Sequence, residues 1–361
     1  MRRRTNETHQ GRRPNTTNSR RTTNNAYNQR PGPGRSSGSS SIPAAATIWL
    51  PLLSQRLGIK TKRQQETFLV ACIAFLLAIW YLTPLADYAA TAILWTVPVD
   101  SDVSLGKEAL RSLQQKYPPV MDRWGVKKVG LELVNAGYWA KNSNNQNHNN
   151  DGLFDNLEQY DWDFGVVHAP QTVNAFALPG GIVRVTDALL NNLSLTNAEL
   201  AALLGHEMGH VLHRHTQKRA VKNRLLSTIW EAFVYEDHDG YDESFGEAVA
   251  EGLWNGASHL GDLAFSRADE YQADGAAWDL LASTYGANDD SLGHHRSSSR
   301  LYYDRYHPTS VRGLLRKLWD YQGGSGSTSW EMTHPGTKDR MDVLEKKWNS
   351  LSFMEKQRFA A

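Results

Sequence analysis

The stretch "LTNAELAALLGHEMGHVLHRH", residues 195–215, decides the fold. Thr196 can cap a helix and Glu199 can reach back to it, which is a capping box, and the apolar residues that follow recur at helical spacing. Each helical residue turns by about 100°, so His206 and His210 stand about 40° apart on one face and one turn apart along the axis. Two imidazoles placed in this way can share one ion. Glu207 projects beside them, where it can take a proton from water, giving the H-E-x-x-H arrangement of two zinc ligands and a general base. The other reading of the pair is two partly buried histidines satisfied by local hydrogen bonds. His213 falls near the angle of His206 but two turns along, and His215 points elsewhere, so both are expected on the helix surface away from the ion. The longer metzincin pattern needs a glycine three residues after His210 and a histidine three further on. The chain has His213 and Thr216 there, so a third ligand must come from outside the helix.

The rest of the chain limits where that ligand can be. The net charge of +1 over 361 residues argues against a nucleic-acid binder. One cysteine, Cys72, excludes a disulfide framework and a multi-cysteine zinc site, which leaves His, Asp and Glu as donors. Residues 1–41 hold nine arginines against one acid, Glu7, and almost no apolar side chain. They read as a disordered basic tail or a transit segment, followed by a basic linker over 42–66.

From Thr67 to Ala86, "TFLVACIAFLLAIWYLTPLA" contains no charge and matches as a helix the roughly 30 Å of a bilayer's hydrocarbon core. It reads as a transmembrane helix, the alternative being a buried core helix. Trp80, Tyr81 and Tyr88 are aromatics of the interfacial kind. Arg56, Lys60, Lys62 and Arg63 precede the run and Asp87, Asp100 and Asp102 follow it, so the positive-inside tendency puts the C-terminal domain on the non-cytosolic or non-matrix side. Residues 87–103, including "YAATAILWTVPV", read as an interfacial linker, and 104–350 as the catalytic domain.

Within that domain "SLGKEALRSLQQKY" (104–117) reads as an amphipathic helix, and "KKVGLELVN" (127–135) and "YDWDFGVVH" (160–168) as strands. "NSNNQNHNNDG" (142–152) is a low-complexity insertion whose His148 is expected to be solvated. "NAFALPGGIVRVTDALL" (174–190) reads as a strand with a Pro-Gly-Gly turn or bulge, returning to helix. The remainder is mainly helical, interrupted by an acidic loop, "YEDHDGYDES" (235–244), and a Gly/Ser linker at 323–328.

The segment "AFSRADEYQADGAAWDLL" (264–281) is helix-compatible and rich in small residues. Arg267, Glu270 and Asp274 fall on one face of it. A carboxylate from this face would complete a two-His, one-Glu site with a fourth position open, and Asp274 could orient a ligand imidazole. The same spacing fits an Arg267–Glu270 surface pair, and spacing alone does not separate the two.

"HEMGH", then "SRADEYQAD", then "THPGTKDR", preceded by "NAFALPGG", resembles the H-E-x-x-H metallopeptidase family of HtpX, BepA-like and CaaX-prenyl endopeptidases. The likeness covers about residues 104–347, and a single span behind a basic tail looks most like the mitochondrial inner-membrane Oma type. The resemblance implies an α+β, mainly helical, gluzincin-type domain with a small edge-exposed sheet. It further implies one zinc ion per chain held by His206, His210 and Glu270, Glu207 as base, and Asp274 and Arg340 behind the ligands. His334 would approach the zinc, either to stabilise the tetrahedral intermediate or to occupy the open site at rest. Asn174, Ala175, Phe176 and Ala177 match the family's edge strand, suited to binding substrate by strand addition.

The expectation is a membrane-anchored zinc endopeptidase of protein quality control. Its partners would be polypeptide substrates, especially membrane proteins, the lipid bilayer and further copies of the chain in a homo-oligomer, with no nucleic acid. The expected place is the mitochondrial inner membrane with the domain in the intermembrane space, the alternative being another membrane with the domain on its non-cytosolic side. The competing expectation is a metal-stabilised chaperone or scaffold that captures extended polypeptide without cleaving it.

Overall fold

A computed structural model describes residues 61–142, 152–234, 264–287, 304–323 and 329–360. The basic tail, residues 42–60 of the linker, His148, the acidic loop and residues 324–328 lie outside the described residues. The chain divides into two units, Met1–Ala71 and Cys72–Ala361. In the first, residues 62–71 begin helix α1 (Lys62–Thr96). Among the described residues no helix is long and apolar enough to cross a membrane. Several side chains of the apolar run, Trp80 and Tyr81 among them, lie outside the described set. The stretch 87–103, expected as a linker, is helical except at 97–98: it completes α1 and opens α2 (Val99–Lys116).

The second unit continues with β1 (Pro119–Val120), α3 (Val126–Asn142), β2 (Asp163–Val167), β3 (Ala175–Leu178), β4 (Ile182–Thr186) and α4 (Asp187–Leu193). Then come α5 (Asn197–Leu212), α6 (His215–Val234), α7 (Arg267–Ala287), α8 (Ser310–Tyr321), α9 (Ser329–Thr333), α10 (Thr337–Ser350) and α11 (Phe353–Gln357). The described chain is mainly helical with one four-stranded sheet in the order β1-β2-β4-β3. β2 and β4 run parallel, Phe164 opposite Val183, while both outer pairs are antiparallel. The Pro-Gly-Gly segment is a tight turn joining two paired strands, with Gly180 at φ 77°.

Residues 127–135, expected as a strand, belong to helix α3. The apparent alternation of Val129, Leu131 and Leu133 misled, because Leu131 is exposed while Val126, Val129, Leu133, Ala136 and Ala140 form one buried stripe of helical period. Asp122 starts the helix, its carboxylate accepting from the backbone N–H groups of Trp124, Val126 and Lys127. β3 stands at an edge of the sheet, as the sequence suggests. β3 is the last strand in order, yet all four of its residues are buried, and the exposed edge is β1 at the other end. Phe176 and Leu178 are sealed by Ala109, Leu113 and Tyr117 of the α2 region, and the Tyr117 ring stacks on Phe176.

Helix α5 is buried from Leu200 to Leu212 around its whole circumference and packs against α7. Two glycines permit the approach. A Cβ built at Gly205 would meet the Ala277 Cα at 3.2 Å, and one at Gly209 the Ala273 Cα at 2.8 Å. This contact brings the histidine helix to the carboxylates of α7.

Candidate metal centre

The capping box at the start of α5 forms as its sequence suggests. Thr196 accepts from the Glu199 backbone N–H, and the Glu199 carboxylate accepts from the Thr196 N–H at 2.8 Å. Lys317 of α8 adds an ion pair to Glu199 at 2.6 Å. Burial works against the Glu199 charge, but Lys317 and Thr196 more than offset it and hold the carboxyl below its ordinary range. The helix ends at Leu212, and Arg214 adopts φ 54°, a left-handed turn that few side chains accept. The Arg214 guanidinium donates to the Leu94 and Val97 carbonyls at the end of α1, at 2.8 and 2.9 Å, and pairs with buried Asp102.

One turn before that break, the His206 and His210 Nε2 atoms stand 3.1 Å apart. Glu270, in the first turn of α7, places Oε1 3.4 Å from His210 Nε2 and Oε2 3.5 Å from His206 Nε2. His334, just after α9, brings Nδ1 to 3.3 Å from His206 Nε2 and 3.1 Å from Glu270 Oε1. Zinc–nitrogen bonds of about 2.0–2.1 Å at the tetrahedral angle put two nitrogens roughly 3.3–3.4 Å apart. These four side chains therefore bring together nitrogen and oxygen donors that could hold a metal ion, and all four are buried.

Glu207 is fully buried beside them, and neither of its carboxylate oxygens has a hydrogen-bond partner. His334 Nε2 lies 3.7 Å from Oε1. Burial pushes the Glu207 carboxyl up against the opposing pull of His334 and His206, which makes it a stronger base. A buried carboxylate with no partner in the protein fits a group that works on water or substrate.

The ligand candidates are tied from behind. His206 Nδ1 donates to Asp274 Oδ1 at 3.0 Å, and Arg340 grips both oxygens of Asp274 while pairing with Glu270. Burial and Arg340 press His206 towards neutrality, but Asp274 and Glu270 outweigh them and lift it to about 9. Burial likewise opposes the Glu270 charge, yet Arg340 and His334 hold that carboxyl well below its usual range. Burial drives His210 well below the ordinary imidazole value. Glu270 has no pairing with Arg267, which is exposed and reaches Asp339 instead. That removes the surface-pair alternative.

The β3 residues connect to the same site. The Asn174 side-chain oxygen accepts from the Thr333 hydroxyl, and Ser329 donates to the Val173 carbonyl, so the start of β3 is stitched to the helix that immediately precedes His334. Ala175 donates to Asn174 Oδ1 and the Ala177 carbonyl accepts from Thr216, so part of the β3 edge is already engaged by the chain itself.

Reading the sequence missed several neighbours. His215, expected on the surface, is buried with Nδ1 2.9 Å from His210 Nδ1, because the turn at Arg214 folds it back over the site. His213 is half-buried and stacks on His215, and burial presses it down to about 4. The Phe265 ring lies 3.8 Å from that of His210 under the Arg219 guanidinium, and Trp330 stacks on His334 at 4.1 Å. The only signal for Phe265 was an aromatic directly before "SRADE", and Trp330 had none.

Comparison with known proteins gives a coherent set of relatives. The model of peptidase family M48 matches residues 153–348. The mitochondrial metalloendopeptidase OMA1 of Arabidopsis thaliana is 32% identical over 210 residues, which is 57% of this chain and 36% of the relative. The metalloprotease LoiP of Escherichia coli is 32% identical over 115 residues, 32% of this chain and 43% of the relative. The mitochondrial metalloendopeptidase OMA1 of Saccharomyces cerevisiae is 29% identical over 126 residues, 34% of each. The matched stretches thus span less than half the length of these relatives.

Proposed function

This chain belongs to peptidase family M48, and from that premise we propose a membrane-anchored zinc endopeptidase that hydrolyses peptide bonds in membrane or misfolded proteins, a protein quality-control enzyme. The observation that carries the reading is the placement of Glu207, buried and without a partner, beside the His206, His210, Glu270 and His334 donor set.

His206, His210 and Glu270 would hold the ion. When bound, zinc supplies a Lewis acid that polarises the peptide carbonyl and makes water nucleophilic near neutral pH. Glu207 removes one proton from the attacking water as its oxygen adds to the carbonyl carbon. Glu207 then delivers that proton to the leaving nitrogen as the C–N bond breaks, so that one water is consumed and a carboxylic acid and an amine are released, the acid's proton passing to the amine to leave a carboxylate and an ammonium group. Asp274 holds His206 in the tautomer whose Nε2 faces the ion, and Arg340 holds Asp274. His334, which stands beside these donors, could donate a hydrogen bond to the developing oxyanion. Substrate lying along Asn174–Ala177 would have to displace the Thr216 hydroxyl from Ala177.

The membrane anchor rests on the uncharged run 67–86 lying within one helix, with Ile73, Leu77, Leu85, Tyr88 and Trp95 exposed along it. A mitochondrial inner-membrane location, with the domain in the intermembrane space, draws on the basic tail and on two relatives named as mitochondrial. Protease protection of a C-terminally tagged chain in isolated mitochondria tests it.

A second reading is favoured by the burial of all four donors: His334 closes the site and the chain serves as a metal-stabilised scaffold. Comparing wild type with Glu207→Gln decides between them. With zinc content measured in both, lost cleavage of an unfolded substrate and retained zinc support the enzyme, whereas equal residual cleavage, or none in either, sinks it.

A further inference from the structure

We propose that His215 is a positioning residue for the metal site: it fixes the tautomer of His210 through a neutral chain of hydrogen bonds that ends at Gln272 on α7. The inference rests on the metallopeptidase reading above.

His210 Nε2 faces the donor set, 3.1 Å from His206 Nε2 and 3.4 Å from Glu270 Oε1, so it must offer a lone pair to a cation held there. A neutral imidazole then carries its proton on Nδ1. That atom lies 2.9 Å from His215 Nδ1, and two nitrogens at this distance need one donor and one acceptor, so His210 donates and His215 accepts. His215 in turn carries its proton on Nε2, which lies 3.0 Å from Gln272 Oε1, an acceptor only. Each bond fixes the polarity of the next, and Asp269 Oδ1 stands 3.6 Å from the same His215 Nε2.

The two histidine ligands are therefore oriented by different chemistry. His206 leans on a carboxylate backed by Arg340, and His210 on an imidazole backed by an amide. On a continuous helix a residue five positions after His210 would sit about 140° away around the axis. The left-handed Arg214 breaks the helix and turns His215 back, so that its ring is buried at 2% exposure against His210. Gln272 stands between Glu270 and Asp274 in sequence, so α7 supplies one ligand and an acceptor in the chain of hydrogen bonds behind each histidine.

The test uses the full chain in detergent. Zinc affinity is measured by competition with a chromophoric chelator, and the cobalt(II) form by its ligand-field absorption. His215→Phe keeps the ring volume and removes the acceptor, and is expected to weaken zinc binding by about 10–100-fold and to alter the cobalt spectrum. His215→Asn puts an oxygen close to the Nδ1 position and restores both to near wild type. Gln272→Leu, at an exposed position, weakens binding less than His215→Phe. Wild-type affinity and spectrum in a folded His215→Phe overturn the relay, as does a His215→Asn no better than the phenylalanine variant, which would mark a packing role. Should His215→Phe not fold, unchanged affinity in Gln272→Leu overturns it. A wild type that binds neither metal removes the metallopeptidase reading itself and the relay with it, an outcome distinct from the others.

Discussion

Arg340 donates from Nε to one oxygen of Asp274 and from Nη2 to the other, at 2.7 Å each, and both side chains are buried. Two parallel bonds of this kind need the planar fork of a guanidinium. Arg340→Met takes the guanidinium away from the buried carboxylates of Asp274 and Glu270, which costs on the order of 3–5 kcal/mol. Thermal unfolding should show that loss together with a fall in bound zinc, and Arg340→Lys should recover only part of either.

The approach of α5 to α7 is set by Gly209. A methyl group there would stand 2.8 Å from the Ala273 Cα and 2.9 Å from its carbonyl oxygen, both backbone atoms that cannot swing aside. Gly209→Ala must push apart the helix of His206 and His210 and the helix of Glu270, at a cost of about 1–3 kcal/mol. Zinc content should fall with it. Gly205→Ala meets its neighbours at 3.2–3.4 Å and should be milder by both measures.

Phe265 covers His210 and also contacts the His215 and His334 rings. Phe265→Ala opens that cover and removes packing worth about 3–5 kcal/mol at a fully enclosed position. The informative readout is the rate at which a small chelator strips zinc. It should rise in the variant, whereas a bystander role predicts a lower melting temperature with the stripping rate unchanged.

The start of α5 carries a pH signature. The Glu199 carboxyl is held below its ordinary value in the folded chain, so its contribution is fully present above the unfolded carboxyl range near pH 4.5 and is lost as pH falls through the lower folded value. Glu199→Gln removes the ion pair with Lys317 and should cost about 1 kcal/mol at neutral pH. Below pH 4 the difference from wild type should shrink. Denaturant melts at pH 7 and pH 3.5 check it, and a constant difference refutes the assignment.

Much of the centre was legible because it is local. Thr196, Glu199, His206, Glu207 and His210 lie within one short helix whose cap and period are written in neighbouring residues, and geometry at i, i+4 follows from the helix itself. The strand expected at 127–135 failed for the converse reason. A short apolar run carries two periods at once, and only packing against β2 and α7 shows that the 3.6-residue stripe from Val126 to Ala140 is the buried one.

By itself, then, the sequence determined the helix, its cap, the paired histidines with their adjacent base, and the uncharged run of 67–86. Only the tertiary structure decided that Glu270 faces His206 rather than Arg267, that His334 comes within 3.3 Å of His206, that the β3 side chains are buried, and that His215 turns inward. Those four facts depend on contacts between segments far apart in the chain, or on a single left-handed residue at Arg214. A side chain's partner across such distances is set by how closely α5 and α7 can pack, and no local period or spacing records that.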